Sequence, residues 1–129
     1  MLTIFTVPKA FNGHIDIIQR NAIKSWTLLE PKCQVILAGD DEGTDLAARD
    51  LGGEHIAKLT RNDFGTPLLD SAYQQVEDAA KYPFICYVNA DVILMNDFIR
   101  AVQRAQKESQ WFLMTARRWD LRITERLEF

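Results

Sequence analysis

Residues 34–45 read Gln34-Val35-Ile36-Leu37-Ala38-Gly39-Asp40-Asp41-Glu42-Gly43-Thr44-Asp45. Val35 to Ala38 are apolar without alternation, and Gly39 ends the run. A short unalternating run bounded by turn residues is what a strand buried on both faces requires, and such strands belong to parallel sheets. The acidic residues then fall at the strand's carboxyl end. Thr44 is placed to cap a short helix reaching about Leu51, and Gly52-Gly53 supplies a left-handed exit. This strand–loop–helix unit sets the pattern for the rest of the chain.

Upstream, Leu2 to Val7 form a β-rich run that ends at Pro8, which removes a ladder donor and starts the loop PKAFNGH. Ile15, Ile18, Ala22, Trp26 and Leu29 then recur at spacings of three and four, predicting a helix over roughly 14–30 that Pro31 stops. Downstream, His55–Leu59 reads as a short strand. Thr66-Pro67 reads as a cap and first helical residue, followed by a helical stripe (Leu68, Leu69, Ala72, Tyr73, Val76, Ala79, Ala80) that lasts until Pro83. Phe84–Val88 is another buried run, resuming after Asn89-Ala90-Asp91 as Val92–Leu94. Asn96 is placed to cap a last helix carrying Phe98, Ile99, Val102 and Ala105, and Trp111–Thr115 reads as a closing strand. Residues 117–129 read as an extended or poorly packed tail. The alternation predicts an α/β fold, a mostly parallel sheet with helices on both faces, in one domain over 1–129. Ligands of such sheets bind beyond the carboxyl ends of the strands, here in the loops PKAFNGH, DDEGTD, TRNDFGTP and NAD.

Composition bounds the function. A chain of 129 residues and 14.8 kDa buries roughly two-thirds of its unfolded surface on folding, enough for a core without staples. Hydrophobic residues at 47% and charged residues at 26% exclude disorder as the main state. A net charge of -3 offers no basic footprint for nucleic acid. Cys33 and Cys86 form neither a disulfide framework nor a zinc motif and are expected to be buried, reduced thiols. No signal peptide or bilayer-spanning run is evident, so a cytoplasmic, not membrane-spanning protein is expected. The absence of GxGxxG and GxxxxGK[ST] argues against dinucleotide dehydrogenases and P-loop enzymes, and the absence of GxSxG against α/β-hydrolases.

Two groups of residues carry chemistry. Asp40, Asp41, Glu42 and Asp45 crowd one strand end, either as a solvated acidic helix start or as acceptors for a ligand's N–H or hydroxyl groups. Asn89-Ala90-Asp91 interrupts an apolar run. Read as extended chain, it points Asn89 and Asp91 the same way, with Asp91 suited to a hard divalent cation that also holds phosphates; a turn or capping Asp is the plainer reading. His14 and the pair Arg117/Arg118 are weaker candidates for ligand contact, and His55 has no companion to give it a role.

Taken in order, these motifs resemble the nucleotide-binding half of a GT-A glycosyltransferase, closest to the family 2-like nucleotide-diphospho-sugar transferases. QVILAGDDEGTD is similar to that group's second strand and acidic DDGSTD-type loop. FICYVNADVIL is similar to its DxD strand, with Asn89 and Asp91 in the two acidic places. The opening strand with Pro8, Asn12 and Ser25 resembles the group's start, and Arg61–Ser71 the segment entering the helix before the DxD strand. The resemblance implies that the Pro8 loop lines base and ribose and that Asp40, or failing it Asp41, accepts from the base, typically uracil. Asn89 would approach the ribose, Arg61 the base or a phosphate, and Asp91 would bind Mn2+ or Mg2+ bridging the diphosphate. It implies a UDP-sugar as donor, transferred by attack of an acceptor hydroxyl on the anomeric carbon while the metal stabilises the departing diphosphate. Two departures are present. Asn89 brings no charge to the DxD site, and the acceptor half and catalytic base of this group lie beyond the strands seen here. The chain is thus expected to hold the donor and transfer poorly alone, with self-association a way to complete a missing wall. A noncatalytic nucleotide-sugar binding module and a receiver-like signalling domain are the competing expectations.

Overall fold

Strand β2 (Gln34–Ala38) is buried along its whole length, and so is β1 (Leu2–Thr6) beside it. In the computed structural model, which describes residues 1–129, β3 (Glu54–Ile56) and β4 (Phe84–Tyr87) complete a four-stranded sheet in the order β3-β2-β1-β4. Every pairing is parallel. The helices are α1 (Gly13–Thr27), α2 (Thr44–Leu51), α3 (Leu69–Ala79) and α4 (Asn96–Glu108). No helix is long and apolar enough to cross a membrane.

The two side-chain sets of each strand enter different cores. Leu2, Ile4, Val35 and Leu37 pack with Ala22, Ile23 and Trp26 of α1, Ala47 and Ala48 of α2, and Ile99 and Val102 of α4. Phe5 and Ile36, which point the other way along the pleat, pack with Ala72 and Val76 of α3. Both sheet faces therefore carry helices, as the sequence predicts. The chain steps from β1 outward to β3, then returns through α3 to the far side of β1. That reversal puts the topological switch point between β1 and β4. The order differs from the 2-1-3-4-5 order of flavodoxin-like sheets, to which receiver-like domains conform.

Several local expectations are corrected. Residues 111–115 form no strand; the Ser109 hydroxyl donates to the Trp111 carbonyl at 2.6 Å and accepts its N–H at 3.1 Å, occupying the backbone groups a ladder would need. The helix after Thr66-Pro67 is capped by Leu68 instead, because Pro67 is drawn into an antiparallel bridge with Arg61. Gly43, not Thr44, stands at the α2 N-cap, and Met95, not Asn96, at that of α4. Asn96 serves the neighbouring turn, its Oδ1 accepting the Glu30 N–H at 3.2 Å. Val92–Leu94 do not resume a strand. On α1 the buried stripe includes Gln19 while Ile15 and Ile18 are half-buried.

Buried amides tie the layers together. Gln34 accepts from the Thr3 hydroxyl at 2.7 Å and the Lys81 N–H at 2.8 Å, and donates to the Ala79 carbonyl at 3.0 Å. It thereby joins two strands to the exit of α3 with its polar atoms satisfied, which is what its burial demands. Cys33 and Cys86 are half-buried rather than fully buried, and free. Burial pushes the Cys33 thiol up and the Cys86 thiol up to about 11. At pH 8 burial therefore holds the Cys86 thiol protonated. Native protein treated with iodoacetamide at pH 8 should label Cys86 far more slowly than unfolded protein. Stoichiometric labelling of native Cys86 on the unfolded timescale, read by mass spectrometry, would contradict this environment.

Candidate functional site

All four loops singled out from the sequence are anchored by identifiable bonds. The first follows β1. Pro8 is buried there, and Gln19 grips Lys9 from α1, accepting its N–H and donating to its carbonyl, both at 2.8 Å. Further on, the Phe11 N–H donates to the Glu42 carbonyl at 2.7 Å, joining this loop to the acidic loop after β2. Gly43 permits that approach. Its φ is +82°, and a Cβ there would lie 2.8 Å from the Cβ of Phe11, closer than packed carbons tolerate.

The acidic loop is engaged from across the edge. The Arg61 guanidinium, in the β3–α3 connection, donates through Nη2 to Asp40 at 2.5 Å and Asp41 at 3.1 Å, and through Nη1 to the Gly65 carbonyl at 2.7 Å. The hydrogen bond and charge of Arg61 hold the Asp40 carboxyl below the usual carboxylate range, and Asp40 raises the guanidinium in turn. Asp40 is depressed in the folded state, so its contribution persists above its ordinary pKa and fades as pH falls through the lowered value. His55, without an assigned role from sequence, has its Nε2 2.7 Å from the Gly39 carbonyl. That bond, with the Gly39 N–H donating to the Ile56 carbonyl at 2.7 Å, fixes the backbone just before Asp40.

Beyond β4, the Val88 N–H donates to the Phe5 carbonyl at 3.0 Å and carries the pairing one residue further. Asn89 and Asp91 are exposed and Ala90 is buried. The Asn89 carbonyl accepts the Val92 N–H at 3.1 Å, so the triplet is a turn rather than extended chain, and the same-side argument for Asn89 and Asp91 does not hold. Helix α1 secures the turn from behind: Trp26 Nε1 donates to the Val92 carbonyl at 2.8 Å, and the Ser25 hydroxyl accepts the Leu94 N–H at 3.0 Å.

The structure thus sets Pro8 and the pair Asn89/Asp91 at the ends of the two strands that flank the switch point. Asp40, Asp41 and Arg61 form a bonded group after β2 and β3. His14 is exposed near the start of α1, and Arg117 is exposed in the tail. Arg118 pairs with Asp120 at 2.9 Å, and the charge of Asp91 also acts on it. Gln19 and His55, which position the loops, are missed by a sequence reading of site residues. A polar Gln19 on the buried stripe of α1 was the available signal; for His55 there was none.

No group of three or more His, Cys, Asp or Glu side chains gathers to hold a metal. Asp91 offers one carboxylate, a donor set that suits Mg2+ or Mn2+ only where a ligand's phosphates and water fill the remaining positions. A cavity of about 330 Å³ opens at the opposite, amino end of the sheet, lined by Lys24, Leu28, Lys32, Cys33 and Leu51 among others. None of the site residues expected from sequence lines it. No protein-family model, curated protein or solved structure matches the chain.

Proposed function

We propose that this chain is a nucleotide-sugar-binding domain of the GT-A glycosyltransferase type, taking a UDP-sugar at the carboxyl edge of its sheet. The observation that carries the reading is topological. A four-stranded parallel sheet reverses direction between β1 and β4, and the Pro8 loop and the Asn89–Asp91 turn follow those two strands, where open α/β sheets bind ligands. In this reading Asp40, backed by Asp41, accepts from the uracil N–H, Arg61 meets the base or a phosphate, and Asn89 approaches the ribose. Asp91 would hold Mn2+ or Mg2+ together with the diphosphate. When bound, the ion supplies positive charge to the phosphates. The protein's own contribution is a rigid edge, with Gln19, Trp26 and His55 fixing the loops that carry these groups. Two free thiols suit the reducing cytoplasm in which the reading puts the protein.

A thermal-shift screen of nucleoside diphosphates and nucleotide sugars, with manganese or with chelator, tests the proposal. A ligand at about 100 times its Kd adds roughly 2.7 kcal/mol of stability, a shift easily read. Uridine diphosphate and its sugars should raise the melting temperature in manganese; no response to any nucleotide would overturn the reading. Acceptor-dependent turnover separates a transferase from a noncatalytic binder.

The base contact has its own test. Asp40→Ala should weaken uridine diphosphate by more than about 1 kcal/mol, the typical net worth of a hydrogen bond, and leave inorganic pyrophosphate nearly unchanged. An equal loss for both ligands by calorimetry would assign Asp40 to the fold or the metal instead.

A further inference from the structure

Residues 109–129 leave α4 and run over the surface without helix or strand. Trp111, Leu113, Trp119 and Leu121 are 88%, 92%, 92% and 71% exposed. Phe112, between the first two, turns inward and stacks on Phe84 at the start of β4, with ring centroids 5.1 Å apart. The chain's accessible surface is 8576 Å², whereas a compact protein of this mass has about 7,000 Å². The tail accounts for why this molecule buries less than its length predicts.

The far part of the tail is nonetheless held in a built seat on α1. Asn21, 3% exposed, donates from its amide to the Glu125 carbonyl at 2.9 Å and accepts the Leu127 N–H at 3.0 Å. A side-chain amide that reads the backbone C=O and N–H of residues two apart acts as one rung of a β-ladder, indifferent to the side chains between. Charge adds selectivity: Arg126 pairs with Asp16 at 2.8 Å, while Asp16 also holds Arg20 at 2.7 Å. The seat takes a short non-helical segment with a basic residue between its two backbone contacts.

The thirteen residues between Ser109 and Ile123 can reach about 45 Å when extended, more than the span of a domain whose radius of gyration is about 14 Å. The same tail can therefore leave its own seat and fill that of a neighbour. We propose that the Asn21/Asp16 seat on α1 is a homodimer interface in which two copies exchange residues 123–127. Exchange keeps every seat contact and lays the two connecting segments against each other, covering the tryptophans and leucines that the closed monomer leaves in water. The surplus exposed surface, about 1,500 Å² per chain, exceeds the roughly 800 Å² each partner contributes to a standard interface. Two paired seats and a covered apolar strip favour the exchanged form, and the tethered tail's high effective concentration favours the monomer. The balance therefore shifts with protein concentration.

The test uses the full chain and reversal of one ion pair. Wild type should double in mass by light scattering as concentration rises from low to high micromolar. Asp16→Arg and Arg126→Glu should each remain monomeric, lose hydrogen-exchange protection at the Leu127 amide and keep it in α3. The two variants mixed in equal amounts should form a dimer, because each reversed charge finds its opposite only in the other chain, and Leu127 protection should return in part. A wild type that stays monomeric throughout, or a mixture that recovers neither mass nor protection, would overturn exchange and leave the seat a purely internal contact. Should Asp16→Arg lose its fold by circular dichroism, affinity-tagged wild type equilibrated with Arg126→Glu replaces the mixture. Co-purification of the untagged chain is then expected, through the tagged chain's tail in the Arg126→Glu seat, and its loss on adding Asn21→Leu to the Arg126→Glu chain; a tagged chain that captures nothing refutes the proposal.

Discussion

Trp26→Ala should destabilise the protein by about 3–5 kcal/mol, the usual cost of removing a buried large aromatic. That corresponds to a fall of roughly 10–20 °C in Tm for a chain of this size. Trp26 is fully buried in the larger core, and its indole N–H is the bond that holds the Val92 carbonyl. The substitution thus opens a cavity and releases the turn that carries Asn89 and Asp91. Trp26→Phe shifts the weight toward the bond, since it keeps an aromatic ring in the core while removing the donor and a smaller part of the volume. It should cost about 1–2 kcal/mol, in the range of a lost hydrogen bond that strands a carbonyl. Hydrogen exchange should accelerate over residues 88–94 and remain slow in α3. Denaturation curves for both variants with residue-level exchange check this. Uniform acceleration across the sheet in Trp26→Phe would show that the indole supports the core as a whole and not the turn.

Asp91→Asn should weaken manganese-dependent binding of uridine diphosphate by about 10–100-fold, the equivalent of one lost charge-assisted contact. The single exposed carboxylate makes the expectation sharper than a preformed cage would. With no group of three or more metal-ligating side chains gathered there, the protein alone should bind manganese weakly. The ion and the diphosphate should instead enter together. Calorimetry should show little heat for manganese alone, binding of the diphosphate in manganese, and loss of that binding in chelator. Inorganic pyrophosphate should suffer from Asp91→Asn as uridine diphosphate does, in contrast to Asp40→Ala. Equal affinities of wild type and Asp91→Asn in both manganese and chelator would remove the metal from the reading. Because Asp91 is exposed at the surface of a turn, the variant should melt close to the wild type, so a binding loss cannot be charged to unfolding.

The α/β order and the parallel sheet are legible in the chain itself. Val35, Ile36 and Leu37 are apolar at consecutive positions, and only a strand covered on both faces needs that. Ala22 and Trp26 at helical spacing, and the left-handed exit at Gly52, are equally local, because each rests on the residue's own shape and its near neighbours. The loops that carry Pro8, Asp40, Asn89 and Asp91 follow from the same order, since a parallel sheet with helical crossovers puts every strand's carboxyl end on one edge. What each of those side chains meets is a different matter. Arg61 reaches Asp40 across 21 positions, Trp26 reaches Val92 across 66, and Asn21 reaches Glu125 across 104. The burial of a polar group is decided by the partner it finds, and no window of sequence contains that partner. Residues 111–115 show the reverse failure. Their composition favours a strand, but β-propensity is realised only against a ladder, and the Ser109 hydroxyl takes the backbone groups of Trp111 before one forms. Local chemistry therefore determined the four helices, the four paired strands and where their loops gather, but not the absence of a fifth strand. Only the tertiary structure, by choosing partners across the chain, decided that Asp40 and Asp41 share one guanidinium, that Trp26 holds the Asn89–Asp91 turn, and that the tail is seated on α1.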